Sequence, residues 1–255
     1  MTGYRLDRTG EGALIFTITR EEKRNAINYE VMDGLKAAIH EAAGDDNIKV
    51  LIITAEGEKA FCSGGDLDTF HGLRTEEQAY SMLKKMGDIL YQLAALPKIT
   101  VALINGSAVG GGCEIAAACD FRVARMGAKM GFIQGRLAIT TGWGGGSLLM
   151  EKLAYPHALY LLGTAGLYTS ERLFEIGFVN ELLETPDISS VLQFMEGFLT
   201  KDVRVLAAYK KAATEKWESA QLRERMEKEI RQCAKLWEKE EHHAAVDKFL
   251  SKRLN

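Results

Sequence analysis

The sequence predicts an α/β fold in which most strands pair in parallel. Short segments rich in β-branched and aliphatic residues alternate along the chain with segments whose apolar residues recur at helical spacing. Such an alternation is typical of a parallel sheet covered by helices. The length of 255 residues is sufficient to bury a large hydrophobic core.

The N-terminal part predicts two strands with a helix between them. Residues 13–19 and 50–54 are rich in β-branched and aliphatic residues, which favours buried strands. Asn28 can cap a helix because its side chain can accept a bond from an unpaired N–H group of the first turn. The apolar residues of this helix, from Val31 to Ala42, recur on one face.

The next predicted helix is marked at both ends. Thr75 and Gln78 have the spacing of a capping box, and the helix has to stop before Pro97. The elements predicted after it are a strand at 100–104, a helix that begins at 115–118, and strands at 121–124 and 130–132.

From about Asp202 onward the sequence predicts only helices. Lys, Glu and Arg are frequent, turn residues are few, and apolar residues recur near helical spacing. We therefore place a boundary near Leu199, between an α/β core (residues 1–199) and a C-terminal helical region (residues 200–255). The apolar positions of this region are Trp217, Leu222, Met226, Ile230, Cys233 and Trp237.

Composition and charge exclude several function classes. The net charge of −3 provides no electrostatic basis for binding nucleic acid or an anionic membrane. No apolar run reaches about 18 residues, the length needed to span a bilayer. The N-terminus lacks the features of a signal or transit peptide, so we expect a cytoplasmic protein with reduced thiols.

The cysteines and histidines do not predict a metal site. The four cysteines show no metal-type spacing, and of the five histidines only His242 and His243 are close in sequence. Because these two lie in a charged helical segment, we expect both to face solvent.

Two glycine-rich turns are the most informative segments, since each follows an apolar strand. Residues 59–67 bend at Gly64 and Gly65, and residues 105–114 contain four glycines and end at Glu114. Glycine permits a close approach of the backbone to a ligand, and the first N–H groups of a helix have no intrahelical partner. The two turns can therefore converge as an oxyanion hole with two N–H donors, close to a carboxyl group.

These turns resemble those of the crotonase superfamily, also called the enoyl-CoA hydratase/isomerase family. The resemblance rests on residues 61–67 and 105–120 and continues through 142–145, 169–180 and 249–253. It implies a crotonase-type spiral of repeated ββα units, followed by a C-terminal helical region that makes trimer contacts. It also implies an acyl-CoA thioester substrate, in which CoA is part of the substrate and not a separate cofactor, and a homo-oligomer that is a trimer or a dimer of trimers.

The resemblance also assigns catalytic roles, with one departure. The backbone N–H groups of Gly65 and Gly111 would hold the thioester oxygen, and Glu114 matches one of the two glutamates that hydratases use. The second glutamate of the family falls at Gln134, whose amide has no titratable proton and cannot act as a general acid or base.

Three reactions are compatible with one carboxyl group and an oxyanion hole. They are weak or altered hydration with Glu114 as the sole acid and base, isomerisation of a double bond, and decarboxylation of a malonyl-type thioester. A different class, a non-catalytic acyl-CoA-binding protein, is a further alternative, although such a protein does not need an oxyanion hole. The RNA binding known in one member of the family would need a basic stripe, which the acidic net charge opposes.

Local features resemble the ethylmalonyl-CoA decarboxylase branch of the family. The segments that carry this resemblance are residues 62–67, 118–122 and 142–145. If Trp143 lines the acyl pocket, it would shorten the pocket and exclude water, which favours loss of a carboxylate. His71 and Arg136 are candidates to bind that carboxylate, but each also fits an ordinary surface position.

The resemblance places the CoA-binding residues in three segments. Residues 23–26 match a stretch whose backbone cradles CoA, Ser63 lies where a backbone carbonyl meets the adenine, and the C-terminal segment approaches CoA from a neighbouring subunit. The candidate CoA and substrate contacts are Lys23, Arg24, Ala26, Ser63, Asp66, Leu67, Trp143, Phe249 and Lys252.

Overall fold

The fold is built on two β-sheets. The computed structural model describes residues 3–254, and the side chains of residues 3–251. The strands of this described part are β1 (Tyr4–Arg8), β2 (Ala13–Ile18), β3 (Val50–Ala55), β4 (Ala60–Cys62), β5 (Ile99–Ile104), β6 (Ser107–Val109), β7 (Phe121–Arg125), β8 (Lys129–Gly131), β9 (Tyr168–Thr169) and β10 (Glu181–Leu183).

Both sheets are mixed, and parallel pairing dominates. The larger sheet has the order β1-β2-β3-β5-β7-β10, and β1 is its antiparallel strand. The smaller sheet has the order β4-β6-β8-β9, and β9 is its antiparallel strand. The parallel pairing predicted for the apolar strands is therefore confirmed for β2, β3, β5 and β7.

Helices follow most strands and then dominate the C-terminal region. Within residues 3–254, no helix is both long and apolar enough to cross a membrane. Two short 3-10 segments lie at Glu21–Lys23 and Ile133–Leu137. The helices are α1 (Tyr29–Gly44), α2 (Leu67–Phe70), α3 (Glu76–Ala95), α4 (Gly111–Ala118), α5 (Gly145–Lys152), α6 (Tyr155–Thr164), α7 (Ser170–Glu175), α8 (Ile188–Phe194), α9 (Glu196–Leu199), α10 (Val203–Ser219), α11 (Leu222–Trp237) and α12 (Glu240–Leu254).

The predicted helix starts are confirmed at α1 and α3. The Asn28 side chain accepts from the N–H of Val31 at 3.0 Å, and Thr75 and Gln78 form a complete capping box. The predicted start of the next helix at 115–118 was wrong, because α4 begins at Gly111 and ends at Ala118. The positive φ of 56° at Gly110 turns the chain directly into the helix, which leaves no loop between the glycine turn and α4.

The C-terminal helices pack into the same core as the sheets. Met226, Ile230 and Cys233 of α11 are at most 2% exposed and belong to the core cluster that contains the apolar residues on one face of β2 and β3. From α10, Lys210 donates to both carboxylate oxygens of Asp120 at 2.6 and 2.7 Å, which ties this helix to the segment between α4 and β7.

The prediction that His242 faces solvent was wrong. His242 of α12 is 2% exposed, and its Nδ1 lies 2.7 Å from the carbonyl oxygen of Leu137. Its ring also packs against Trp237, with the two ring centroids 4.6 Å apart. The hydrogen bond to Leu137 attaches α12 to the 3-10 segment Ile133–Leu137. The charged residues next to His242 in the sequence therefore did not indicate that its ring is buried.

Candidate active site

The two glycine turns lie against each other. Ile27 donates to the carbonyl of Gly64 at 2.8 Å and accepts from the N–H of Asp66 at 2.9 Å, so the N–H of Gly65 points away from Ile27. A methyl group built on Gly64 would lie 3.3 Å from the backbone nitrogen of Gly111. Among the hydrogen bonds of the described residues, none uses the N–H of Gly65 or Gly111 as donor.

Glu114 is buried three residues after Gly111, in the first turn of α4. Its side chain is 1% exposed. Oε1 accepts from the N–H of Gly142 at 3.0 Å and from Nε2 of Gln134 at 2.8 Å, and Oε2 accepts from the N–H of Trp143 at 2.7 Å. These three donors hold the carboxyl group in one orientation.

The protonation of Glu114 is set by opposing effects. Burial, the largest effect, and the nearby negative charge of Glu229 both raise its pKa, which lies at about 8. The backbone N–H groups of Trp143, Gly142 and Gly145 lower the pKa in part, because they stabilise the carboxylate. A carboxyl group with a pKa close to neutral can both take up and release a proton near physiological pH.

Gln134 does lie beside Glu114. Its Nε2 donates to Glu114, whereas its Oε1 is buried and accepts no hydrogen bond from the described residues. The amide therefore occupies the position where a second carboxyl group would face Glu114, and it cannot exchange a proton with a substrate.

Trp143 covers both glycine turns. The indole is 4% exposed. A methyl group on Gly111 would overlap the indole ring, and one on Gly65 would lie 3.7 Å from its Cζ2 and 3.2 Å from the ring of Phe70. The absence of a side chain at Gly111 is therefore what allows the indole to rest on the backbone of α4.

The two predicted CoA segments of the core are neighbours. The N–H of Ser63 donates to the carbonyl of Arg24 at 3.1 Å, next to the bridge between Ile27 and Gly65. Arg24 has φ of 51° and Asn25 has φ of 54°, a left-handed conformation that non-glycine residues rarely adopt. Two such residues in succession mark a backbone held in an unusual shape beside the glycine turn.

The side chains near this segment mostly support the turn. Asp66 is 4% exposed, accepts from the N–H of Asp68 at 3.1 Å and pairs with Arg20 at 2.7 Å. Lys23 pairs with Asp68 at 2.5 Å and keeps 46% of its side chain exposed. Arg20 also donates to the carbonyl of Ala26 at 2.5 Å.

Leu67 and the two candidate carboxylate-binding residues make local backbone contacts. The carbonyl of Leu67 lies 2.9 Å from Nδ1 of His71, whose side chain is exposed. Arg136 is exposed and donates from Nε to the carbonyl of Ala165 at 2.7 Å. Neither contact brings a positive charge to Glu114.

The C-terminal candidates lie on α12. Phe249 is 42% exposed, and the side chain of Lys252 lies outside the described residues. In the described part of the chain, no group of three or more His, Cys, Asp or Glu side chains is arranged to hold a metal ion.

A second carboxyl group, the partly buried Glu229 of α11, was not predicted. It accepts from the side chain of Thr141 at 2.6 Å, from the N–H of Gly146 at 3.0 Å, and from the N–H and hydroxyl of Ser147 at 2.7 and 2.6 Å. Burial raises its pKa, and these donors oppose the rise. A signal was present in the sequence, because Glu229 lies three residues after Met226, on the apolar face of the helix.

Comparison with known proteins identifies relatives over nearly the whole chain. The enoyl-CoA hydratase/isomerase family profile matches residues 8–255. The crotonyl-CoA hydratase of Syntrophomonas wolfei is 31% identical over 204 residues, which cover 80% of this chain and 78% of that protein. An ethylmalonyl-CoA decarboxylase of Xenopus tropicalis is 33% identical over 178 residues, which cover 70% of this chain and 59% of that protein.

Solved structures show the same fold. An enoyl-CoA hydratase from Bacillus halodurans superposes with a TM-score of 0.85 at 24% identity, covering 96% of this chain and 99% of that one. The crotonase-type α/β fold, with two mixed sheets and C-terminal helices, is thereby confirmed.

Proposed function

The chain belongs to the enoyl-CoA hydratase/isomerase family, and we propose that it acts on acyl-CoA thioesters by transferring a proton with Glu114 alone. The observation that carries this proposal is one buried carboxyl group beside two glycine turns that lie in contact. The N–H groups of Gly65 and Gly111 make no hydrogen bond to other described residues, so both are available to a ligand.

In the proposed reaction, these two N–H groups hold the thioester oxygen. Negative charge develops on that oxygen when a proton leaves the α- or γ-carbon or when a nucleophile adds to the double bond. A preorganised donor at such an oxyanion typically lowers the barrier by about 3–4 kcal/mol. Glu114 takes up or returns the proton, which its raised pKa permits near neutral pH.

Gln134 favours isomerisation or altered hydration over ordinary hydration. Hydration with two carboxyl groups requires that one activates water while the other protonates the α-carbon. Here the amide contacts Glu114 directly at 2.8 Å, so the partner of Glu114 cannot exchange a proton. Hydration would depend on Glu114 for both proton transfers.

Decarboxylation of a methylmalonyl- or ethylmalonyl-type thioester is the second candidate. The bond between the α-carbon and the carboxylate breaks, CO₂ leaves, and the electron pair passes into an enolate that Gly65 and Gly111 hold. The proton of Glu114 then moves to the α-carbon. Two observations favour this alternative. The indole of Trp143 covers both glycine turns, and the chain is similar to ethylmalonyl-CoA decarboxylases.

We further propose that the chain works as a homo-oligomer, either a trimer or a dimer of trimers, in the cytoplasm. Exposed apolar side chains on α6 support self-association: Tyr155, Leu159 and Tyr160 are 64%, 48% and 60% exposed. Contiguous apolar surface of this kind is typical of an interface. Phe249 and Lys252 would then approach the CoA of a neighbouring subunit.

The experiment that tests the proposed function compares three classes of substrate. Crotonyl-CoA, a 3-enoyl-CoA, and methyl- or ethylmalonyl-CoA are incubated separately with the purified protein, and the products are followed by mass. We expect either a gain of water or an isomeric product, the latter identified by chromatography. Loss of CO₂ from the malonyl thioesters would establish the second candidate. Tight binding of all esters without turnover would favour a binding protein and contradict both.

The substitution Gln134→Glu tests whether the missing carboxyl group limits hydration. We expect hydration of crotonyl-CoA to rise by about 10²-fold or more, because a second positioned acid–base group becomes available. Two carboxyl groups in contact share a proton, so the pH optimum should also move upward. Initial rates over a range of pH measure both effects. If the rate does not rise, the shape of the pocket and not the amide determines the reaction.

A further inference from the structure

One face of α11 supports the turn that holds Glu114, which we define as the 141–147 turn. A methyl group on Gly144 would overlap Met226, and one on Gly142 would lie 2.9 Å from Sγ of Cys233. Glu229 lies between these two residues on the helix. The spacing of three and four residues places all three side chains on one face of α11, so one helix face contacts the whole turn.

Glu229 binds both ends of the 141–147 turn. Its Oε1 accepts from Thr141 and Gly146, and its Oε2 accepts from the N–H and hydroxyl of Ser147. The two N–H groups can only donate, and each binds a different oxygen, which favours the ionised carboxylate. They also belong to the first turn of α5, where the helix dipole stabilises negative charge.

Glu114 binds the middle of the same turn. Gly142 and Trp143 donate their N–H groups to it. A methyl group on Gly145 would overlap the side chain of Glu114, and one on Gly146 would lie 3.3 Å from Oε1 of Glu229. The two carboxyl groups thus both bind one short segment, and each uses different donors of that segment.

No positive charge neutralises this pair within the described side chains, residues 3–251. Arg225 pairs with Glu151, Lys84 pairs with Asp88, and Lys152 donates to carbonyls at the end of α4. The elements packed around the pair carry the following other titratable and charged side chains: Cys113 on α4, Arg136 on the 3-10 segment Ile133–Leu137, Glu76, Glu77, Tyr80, Lys84, Lys85, Asp88 and Tyr91 on α3, Glu151 and Lys152 on α5, and Arg223, Glu224, Arg225, Glu227, Lys228, Arg231, Cys233 and Lys235 on α11.

We propose that Glu229 is a positioning residue of the active site, which holds the 141–147 turn in register with Glu114 and keeps a negative charge beside it. The inference rests on the proposed function, in which Glu114 transfers the proton. Glu229 does not touch the substrate. It acts through the N–H groups of Gly142 and Trp143, whose placement depends on the ends of the turn, and through its charge, which keeps Glu114 protonated to a higher pH.

The substitution Glu229→Gln tests both parts. Its amide can accept at one oxygen only, and its NH₂ group would face N–H donors of the turn. We expect kcat for the preferred acyl-CoA to fall by about 10²-fold, the loss typical of misplaced catalytic groups, whereas KM changes little. In the pH profile of the activity, the midpoint that reports the titration of Glu114 should fall by about one pH unit, because a neighbouring like charge is removed.

Two further variants separate position from charge. Thr141→Val removes one hydrogen bond to the turn but keeps the charge of Glu229, so it should lower kcat without moving the Glu114 midpoint. Glu224→Gln makes the same chemical change on the exposed side of α11, and it should alter neither quantity.

The Glu114 midpoint is also measurable without turnover. The carboxyl ¹³C signal of Glu114, identified by its loss in Glu114→Gln, can be titrated by NMR in each variant. An unchanged midpoint and an unchanged kcat in Glu229→Gln would overturn the inference. A wild-type protein that turns over no acyl-CoA would contradict the proposed function instead, while a shifted midpoint would still support the coupling of the two carboxyl groups.

Discussion

Replacement of Glu114 by glutamine is expected to reduce turnover by about 10²–10⁴-fold, the contribution of a positioned acid–base group. The amide cannot carry the transferred proton. It also brings an NH₂ group against the N–H donors of Gly142 and Trp143 and the amide of Gln134, which now bind the carboxylate oxygens. Steady-state kinetics with the substrate identified by product mass measures the loss.

Two controls make this result interpretable. Calorimetric binding of a substrate analogue should change little, because the proposed CoA contacts do not include Glu114. Urea denaturation should show a loss of about 1–3 kcal/mol, the cost of a buried donor without an acceptor. Equal turnover in Glu114→Gln would remove Glu114 from the mechanism.

The pH dependence of kcat/KM in the wild-type protein identifies the direction of the first proton transfer. An isomerase begins with Glu114 ionised, so kcat/KM should rise with pH through a midpoint near 8. A decarboxylase needs Glu114 protonated, so kcat/KM should instead fall through that midpoint. The two candidate reactions therefore predict slopes of opposite sign.

Replacement of Gly111 by alanine is expected to have the second largest effect. The new methyl group would overlap the indole of Trp143, and the ring or the start of α4 has to move. Overpacking of this kind typically costs about 1–3 kcal/mol of stability. Displacement of the N–H donor should lower kcat by about 10²-fold or more. Urea denaturation and steady-state kinetics measure the two losses.

A double-mutant cycle with Trp143→Ala tests the cause. If the overlap with the indole is responsible, the loss of stability in the double variant should be smaller than the sum of the single losses. Gly163→Ala is a matched control, because a methyl group there meets no atom within 4 Å. If the stability losses of the two single variants simply add up in the double variant, Gly111 is sensitive to substitution for another reason.

Local signals were sufficient to predict much of the fold. The cap of Asn28 and the capping box of Thr75 depend on residues a few positions apart, and both are present. The longer apolar strands were also predicted, because burial on both faces produces continuous aliphatic runs. In contrast, β4, β6 and β9 have two or three residues each, too few to show a period.

The site was predictable where it depends on glycine and on residue type. A methyl group built on Gly64 would lie 3.3 Å from the nitrogen of Gly111, so the two turns are neighbours as expected, and Gln134 donates to Glu114. The position of Trp143 over Gly111 and the hydrogen bonds of Glu229 were not predictable. Both depend on how α11 and the 141–147 turn pack, which brings together residues more than 80 positions apart in sequence.

Trp143 has two attachments, one through its backbone and one through its ring. Its backbone N–H stabilises the ionised form of Glu114, and its ring rests on Gly111. Under the proposed function, with Trp143 against the acyl group, a substitution that moves the indole to admit a bulkier acyl group would also disturb the hydrogen bond that lowers the pKa of Glu114. A change of acyl selectivity at this position should then bring a change of pH optimum with it.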